Sequence, residues 1–174
     1  MQIEVLRLSH RIRRDPRLST HVALTARAFL ADRLYYSGDK DSSLEATINK
    51  VTGQFGGNFE IEHVENPVKL IEQKKKQNFL VVHLSVYGLT LNSILSKINK
   101  HQKILIVVGG EKVPPGIFKI SDYNISITNQ PISEVSALAV FLHELLEGKE
   151  LGAEFKNAKI EILPALRDKK FKKH

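Results

Sequence analysis

The sequence predicts an α/β fold in which a parallel sheet is covered by helices on both faces. Two observations support this prediction. Segments of strand composition alternate with helical segments along the chain, which is the order of consecutive βαβ units. Two of the strand segments, FLVVHL at 79–84 and ILIVV at 104–108, are almost continuously apolar, as strands buried on both faces require.

The first half of the chain contains three predicted strand–helix units. Alternating apolar and polar residues predict the opening strand at 3–8, and an arginine-rich loop at 9–19 separates it from the first helix. Ser42 and Glu45 form a capping box, which predicts that the second helix begins there. The predicted elements are strands at 3–8, 33–36 and 59–63 and helices at 20–31, 42–53 and 68–76.

The second half continues the alternation. Thr90 and Ser133 are residues of the type that caps helix starts, and Gly148 is suited to end a helix. The predicted elements are strands at 79–84, 104–108, 123–127 and 159–163 and helices at 91–99 and 134–147. We therefore predict a single domain at 1–155 and a basic C-terminal extension at 156–174 that forms a strand or hairpin arm.

The net charge of +7 is concentrated at the two ends of the chain. Residues 1–33 contain seven arginines and three acidic residues, and residues 156–174 contain seven lysines or arginines and two acidic residues. Basic ends of this kind suit a polyanion such as a nucleic acid. Ordinary solvated surface charge also accounts for them, so the charge alone leaves both interpretations open.

Several classes of function are disfavoured by what the sequence lacks. Cysteine is absent, which excludes disulfides, thiolate zinc sites and cysteine nucleophiles. No apolar run reaches the roughly 18 residues of a spanning helix, and the N-terminus lacks a signal-peptide pattern, so we expect a cytoplasmic protein without a membrane partner. The histidines show no ligand spacing with carboxylates, so no metal is expected. The glycine patterns of dinucleotide, phosphate-loop and hydrolase sites are also missing.

Three loops that follow apolar strands are the predicted ligand site, because open parallel sheets bind ligands beyond the carboxyl ends of their strands. They lie at 85–88, 109–116 and 128–133. The glycine pair Gly109-Gly110 lets a ligand approach the main chain closely, and the third loop ends at a helix start with free amide groups. Such loops suit a flat, hydrogen-bonding ligand such as adenine, although turn chemistry explains each loop taken singly.

A group of arginines near the N-terminus forms the predicted nucleic-acid contact. Their planar guanidinium groups bind phosphates through paired hydrogen bonds. A salt-bridged surface loop is the alternative. The group consists of Arg7, Arg11, Arg13, Arg14 and Arg17.

Four segments of the chain resemble a known family. They are VLRLSHRIRRDPRLSTHVALTARAFLAD, VHLSVYGL, IVVGGEKVP and YNISITNQPISEVSALAV. Together they are similar to the archaeal tRNA cytidine 2′-O-methyltransferases that modify position 56 of the T-loop, over about residues 3–165. This family belongs to the SPOUT class. The resemblance implies S-adenosylmethionine (SAM) as cofactor, tRNA as substrate, a homodimer, and a C-terminal trefoil knot that forms the cofactor pocket.

The resemblance also implies site residues. The family's cofactor contacts correspond here to Leu84, Gly109, Gly110, Glu111, Lys112, Val113, Ile127, Thr128, Asn129, Gln130, Pro131, Ile132, Ser133 and Glu134. Broader ribose methyltransferases carry a catalytic arginine in an Asn-x-x-Ala-x-x-Arg motif, and this chain has Leu24 at the arginine position. Arg27 and Arg17 are the nearest substitutes, and we predict one of them as the catalytic arginine, with Glu111 and Ser133 assisting.

Two other functions remain open from the sequence. A methyltransferase of the same class that acts on another RNA position or on a base has the same cofactor loops. A non-catalytic RNA-binding module explains the basic ends equally well, but it leaves the three loops without a ligand.

Overall fold

The computed structural model describes residues 1–14, 16–109 and 113–174, and of residue 16 the backbone only. The α/β prediction is confirmed: six parallel strands form one sheet in the order β3-β2-β1-β5-β4-β6. The strands are β1 (Gln2–His10), β2 (Arg33–Gly38), β3 (Glu60–His63), β4 (Leu80–Thr90), β5 (Lys103–Val108) and β6 (Tyr123–Ser126).

Helices connect consecutive strands and cover both faces of the sheet. They are α1 (Pro16–Ala28), α2 (Ser42–Phe55), α3 (Pro67–Lys76), α4 (Leu91–Ile98), α5 (Pro115–Ile120) and α6 (Glu134–Leu146), and a short 3₁₀ helix follows at Lys149–Gly152. One face packs against α1, α2, α4 and α6, and the other against α3 and α5. Alternate residues of β5 enter the two cores: Ile104 and Ile106 face the first, and Leu105 and Val107 the second.

Several predicted element boundaries differ from the structure. Helix α1 begins at Pro16, inside the predicted arginine-rich loop, because proline is well suited to the first position of a helix. The predicted capping box of α2 is wrong. The side chain of Asp41 accepts hydrogen bonds from the amides of Ser43 and Leu44 and so caps the helix, whereas the Glu45 carboxylate accepts one from the Tyr36 hydroxyl at 2.6 Å.

Strand β4 does not end at Leu84, where the sequence suggested a loop. The chain bulges over 85–88 and then pairs with β6 again through Leu89 and Thr90. A Cβ atom on Gly88 would lie 2.4 Å from the amide nitrogen of Ile125, so only glycine fits where the bulge crosses β6. The first predicted ligand loop is therefore a bulge held against the neighbouring strand.

The C-terminal segment forms an antiparallel hairpin of β7 (Ile160–Leu163) and β8 (Lys170–Lys173), separate from the main sheet. It joins the domain near the end of α2, where the Lys159 amide donates to the Gln54 carbonyl at 2.9 Å. Nearly all of its side chains are exposed. A two-stranded hairpin has little stability of its own in water, which is consistent with a segment held by its attachment to α2 or by a partner.

Candidate active site

A pocket of about 410 Å³ opens at the carboxyl ends of β4, β5 and β6. This volume lies within the range of small-molecule sites. Its lining is mainly apolar with a few polar groups, as such sites require. The pocket is lined by His83, Leu84, Ser85, Val86, Tyr87, Val108, Gly109, Val113, Phe118, Ile125, Ile127, Thr128, Pro131, Ile132, Glu134 and Ala137.

The segments that form this pocket are tied to one another. The side-chain amide of Asn129 donates to the Val86 carbonyl at 2.8 Å and to the Ser126 hydroxyl at 3.2 Å, which links the loop after β6 to the bulge of β4. A Cβ atom on Gly109 would lie 2.5 Å from Cγ2 of Val113. Glycine at this position therefore leaves room for the Val113 side chain beside the end of β5.

Eight of the residues predicted to contact the cofactor line this pocket: Leu84, Gly109, Val113, Ile127, Thr128, Pro131, Ile132 and Glu134. Asn129, Gln130 and Ser133 do not line it; the Ser133 hydroxyl caps α6 by accepting from the Val135 amide at 3.3 Å. Gly110, Glu111 and Lys112, which include one of the predicted catalytic residues, lie outside the described residues.

Sequence reasoning missed two ring side chains of the pocket. His83, within the apolar segment FLVVHL, suggested only a structural role, yet it lines the pocket beside Phe118. Phe118 belongs to α5, a six-residue helix that is too short to show a helical period. Its only sequence signal was the Pro114-Pro115 pair, because proline favours the first turn of a helix.

Arg7 does not contact RNA phosphates as predicted, because it is an interior residue. It is 1% exposed, and its guanidinium lies 3.1 Å from the carboxylate of Glu134 and donates to the Leu8 carbonyl. Glu134 lines the pocket at the first turn of α6. A buried cation with such a partner cannot reach a phosphate outside the protein. Arg7 instead joins the end of β1 to the start of α6.

The structure places Arg27, one of the two predicted catalytic arginines, outside this pocket. Arg27 is buried in the last turn of α1, where its guanidinium donates to the Gly56 carbonyl at 2.6 Å and lies over the Phe155 ring. Burial lowers the pKa of this guanidinium. Because α1 runs back along the sheet from the end of β1, its last turn lies at the amino edge, away from the pocket.

Arg17 lies at the other end of the same helix. Ten residues at a rise of 1.5 Å separate it from Arg27 by about 15 Å along the helix axis. It is exposed in the first turn of α1. Helices α1 and α6 pack together and both follow strands of the parallel sheet, so the first turn of α1 and Glu134 lie at the same carboxyl edge.

A buried hydrogen-bond group supports the arginine-bearing turn before α1. His10, at the end of β1, contacts the Ser19 hydroxyl at 2.8 Å and the Asp41 carboxylate at 3.1 Å. The Ile12 amide donates to Asp39 at 3.0 Å. These contacts hold the turn to α1, α2 and β2, while Arg13 and Arg14 are exposed to solvent.

The pocket fits the cofactor that the resemblance implies. Apolar side chains line the space that a flat ring would occupy, and one ring nitrogen of His83 has no hydrogen-bond partner among the described residues. A nucleoside cofactor supplies such partners. Across residues 1–14, 16–109 and 113–174, histidine and acidic side chains form no cluster able to hold a metal ion. No helix in that part of the chain has the length and apolarity to span a membrane.

Solved structures share this fold. The chain resembles the A. aeolicus TrmH/SpoU tRNA modifying enzyme with a TM-score of 0.65 and 19% identity, over 87% of this chain and 77% of that one. It also resembles the SpoU methyltransferase AviRb from Streptomyces viridochromogenes, solved in complex with AdoMet, with a TM-score of 0.64 and 16% identity over 84% and 57% of the chains. The fold is therefore that of the SPOUT methyltransferases.

Sequence comparison identifies the family within this class. The profile described as "tRNA ribose 2'-O-methyltransferase, aTrm56" matches residues 55–172. A tRNA (cytidine(56)-2'-O)-methyltransferase of Methanobrevibacter smithii is 46% identical over 100% of this chain and 97% of that protein. Its namesake in Methanocaldococcus jannaschii is 47% identical over 95% and 93%. The chain belongs to this tRNA ribose 2′-O-methyltransferase family, which confirms the resemblance.

The ion pair between Arg7 and Glu134 yields a prediction about stability. Replacing Arg7 with Met leaves a mostly buried carboxylate without this partner, which costs about 3 kcal/mol in the free energy of unfolding. The double variant Arg7→Met/Glu134→Leu should lose less than Arg7→Met alone, because two apolar groups replace the pair. Urea denaturation measures both.

The matched control is Arg13→Met, which changes an exposed arginine of the same segment and should alter stability by less than about 0.5 kcal/mol. A destabilisation by Arg7→Met as small as that of the control would contradict the structural role assigned to Arg7.

Proposed function

We propose that this chain transfers the methyl group of SAM to the 2′-hydroxyl of cytidine 56 in the T-loop of tRNA. The observation that carries the proposal is the convergence of the family's cofactor segments in one pocket at the carboxyl edge of the sheet, next to an arginine-bearing helix start. The curated relatives named for this activity match almost the whole chain at 46–47% identity, which supports the choice of nucleotide.

SAM, when bound, supplies a methyl group that is already activated on a sulfonium sulfur. The protein's task is then mainly to align the reacting groups, which contributes as much as roughly 7–11 kcal/mol in favourable cases. The described residues suited to hold the cofactor are Leu84, Gly109, Val113, Ile127, Thr128, Pro131, Ile132 and Glu134. They come from three segments of the chain and exclude water from the reacting atoms. The trefoil knot remains a prediction from the resemblance.

Arg17 is the proposed catalytic arginine. A ribose hydroxyl is a weak nucleophile, and a fixed cation near it stabilises the negative charge that develops on its oxygen. An arginine remains protonated, so its contribution is electrostatic rather than that of a base. Ser133 still has its hydroxyl hydrogen to donate while its oxygen caps α6. Glu111 is retained as a proposed helper from the family resemblance.

Two basic surfaces are proposed to bind the tRNA. The first consists of the arginine segment at the carboxyl edge, formed by Arg11, Arg13, Arg14 and Arg17. The second is the C-terminal hairpin at the opposite edge, where Lys169, Lys170, Lys172 and Lys173 are exposed around Phe171. A tRNA is long enough to contact both edges, and its phosphates attract both.

We also propose a homodimer that works in the cytoplasm. The family resemblance supports both statements. Tyr87, on the bulge that lines the pocket, is 85% exposed, and the neighbouring Leu89 is exposed as well. Exposed apolar surface of this kind is typical of a subunit interface.

The proposed reaction is tested with labelled methyl transfer from SAM to an unmodified tRNA transcript. One methyl per tRNA is expected at cytidine 56, and a transcript with 2′-deoxycytidine at that position should accept none, because the acceptor oxygen is missing. A transcript with a 2′-deoxy substitution at another T-loop nucleotide is the control and should still be methylated. Mass mapping that places the methyl on a base, or on another nucleotide, would support the alternative of a different target.

The role of Arg17 is tested separately. Arg17→Ala should lower the rate of methyl transfer by roughly 10²–10³-fold while leaving the affinity for S-adenosylhomocysteine unchanged, because the side chain acts on the substrate oxygen. Arg33→Ala, at the amino edge of the sheet, is the matched control and should leave both unchanged. Near-normal turnover of Arg17→Ala would remove this residue from the reaction.

The hairpin is tested through the salt dependence of tRNA binding. Replacing Lys169, Lys170, Lys172 and Lys173 with Gln should weaken tRNA binding and reduce the slope of log K against log salt by up to about one for each phosphate that the variant no longer binds. Affinity for S-adenosylhomocysteine should not change. Four exposed lysines elsewhere form the charge-matched control: Lys40, Lys50, Lys69 and Lys97. Equal slopes for the two quadruple variants would show that the hairpin has no special role.

A further inference from the structure

His83 is a buried side chain of the pocket wall. It lies on β4, is 1% exposed, and packs edge-to-face against Phe118 with ring centroids 4.6 Å apart. A histidine in an apolar strand is ordinarily structural. The position of His83 in the pocket lining raises the question of what its two ring nitrogens contact.

The hydrogen bonds of Asn124 determine which ring nitrogen carries the proton. The side-chain amide nitrogen of Asn124 donates to the Phe118 carbonyl at 2.9 Å, which directs the amide oxygen towards His83. That oxygen lies 2.8 Å from Nδ1 of His83. Because an amide oxygen can only accept, Nδ1 must carry the hydrogen and donate it.

The remaining nitrogen, Nε2, is then an unprotonated acceptor. It is buried and has no hydrogen-bond partner in the part of the chain that the structure describes. Burial lowers the pKa of His83, so the ring is neutral near pH 7. A buried polar atom without a partner is unfavourable, and in a pocket wall it points to a ligand that supplies the missing donor.

We infer that Nε2 of His83 accepts a hydrogen bond from the nucleoside part of the cofactor. This inference rests on the proposed function for the identity of the ligand. The required chemistry is an uncharged N–H or O–H donor, which the nucleoside offers as the exocyclic amine of adenine and as the ribose hydroxyls. His83 is therefore a cofactor-orienting residue: burial keeps its ring neutral, and Asn124 fixes which ring nitrogen carries the proton.

Analogues of S-adenosylhomocysteine identify the donor by calorimetry on the intact protein. S-inosylhomocysteine replaces the amine by an acceptor, and the 2′-deoxy and 3′-deoxy analogues each remove one hydroxyl. The wild-type protein should bind one of these analogues about tenfold more weakly than S-adenosylhomocysteine, as expected when one hydrogen bond is removed. The analogue with reduced affinity identifies the donor.

The variant His83→Phe completes a thermodynamic cycle of two proteins and two ligands. It should bind S-adenosylhomocysteine about tenfold more weakly than the wild type, and the penalty for the identified analogue should disappear. His101→Phe, which changes an exposed histidine, is the matched control and should keep the wild-type pattern. Undiminished affinity of His83→Phe, or an analogue penalty that persists in it, would overturn the inference. Failure of the wild-type protein to bind S-adenosylhomocysteine would instead overturn the proposed function.

A second measurement does not depend on the folding of any variant. In ¹⁵N-histidine NMR of the intact wild-type protein, the Nε2 resonance of His83 should show an unprotonated nitrogen. It should move upfield towards the value of a hydrogen-bonded acceptor when S-adenosylhomocysteine is added. A protonated Nε2, or a resonance that stays in place while the ligand binds, would contradict the inference.

Discussion

The site depends on one constraint: separate turns of the chain must be held together at the carboxyl edge of the parallel sheet. In addition to the hydrogen bonds of the sheet, two side chains hold these turns together. Arg7 joins the end of β1 to Glu134 at the start of α6, and Asn129 joins the loop after β6 to the bulge of β4. Gly88 allows the bulge of β4 to pass against the main chain of β6, and Gly109 leaves room for the Val113 side chain. The pocket is therefore formed by contacts between separate segments of the chain rather than by a single motif.

The two ends of α1 carry arginines in different surroundings. Its first turn lies at the pocket edge and bears Arg17, and its last turn lies at the amino edge, where Arg27 binds Gly56 and Phe155. The residues that follow Phe155 lead into the basic hairpin, so Arg27 helps to attach the hairpin to the domain. One helix thus connects the edge where we place catalysis with the edge where a second RNA contact is proposed.

Much of the fold was predictable from the sequence, because periodicity and strand-end position are local properties. The alternation of strands and helices and the three pocket loops were found in this way. The misassigned residues depended on tertiary contacts. The alternating pattern of β1 suggested that the Arg7 side chain is exposed. Both faces of β1 are covered, however, so Arg7 is buried. Ser42 had the capping pattern while its neighbour Asp41 makes the cap. The proton position on His83 depends on Asn124, forty-one residues away along the chain.

The central claim is that the nucleoside cofactor is enclosed by the segments at the carboxyl edge. Hydrogen exchange of backbone amides, with and without S-adenosylhomocysteine, tests it most directly. Added protection is expected at 84–88, around 109–113 and at 127–134, with the hairpin unchanged. A larger cavity of about 770 Å³ lies between Phe55 of α2 and the hairpin. Protection confined to the residues around that cavity, with the three segments unaffected, would contradict the account.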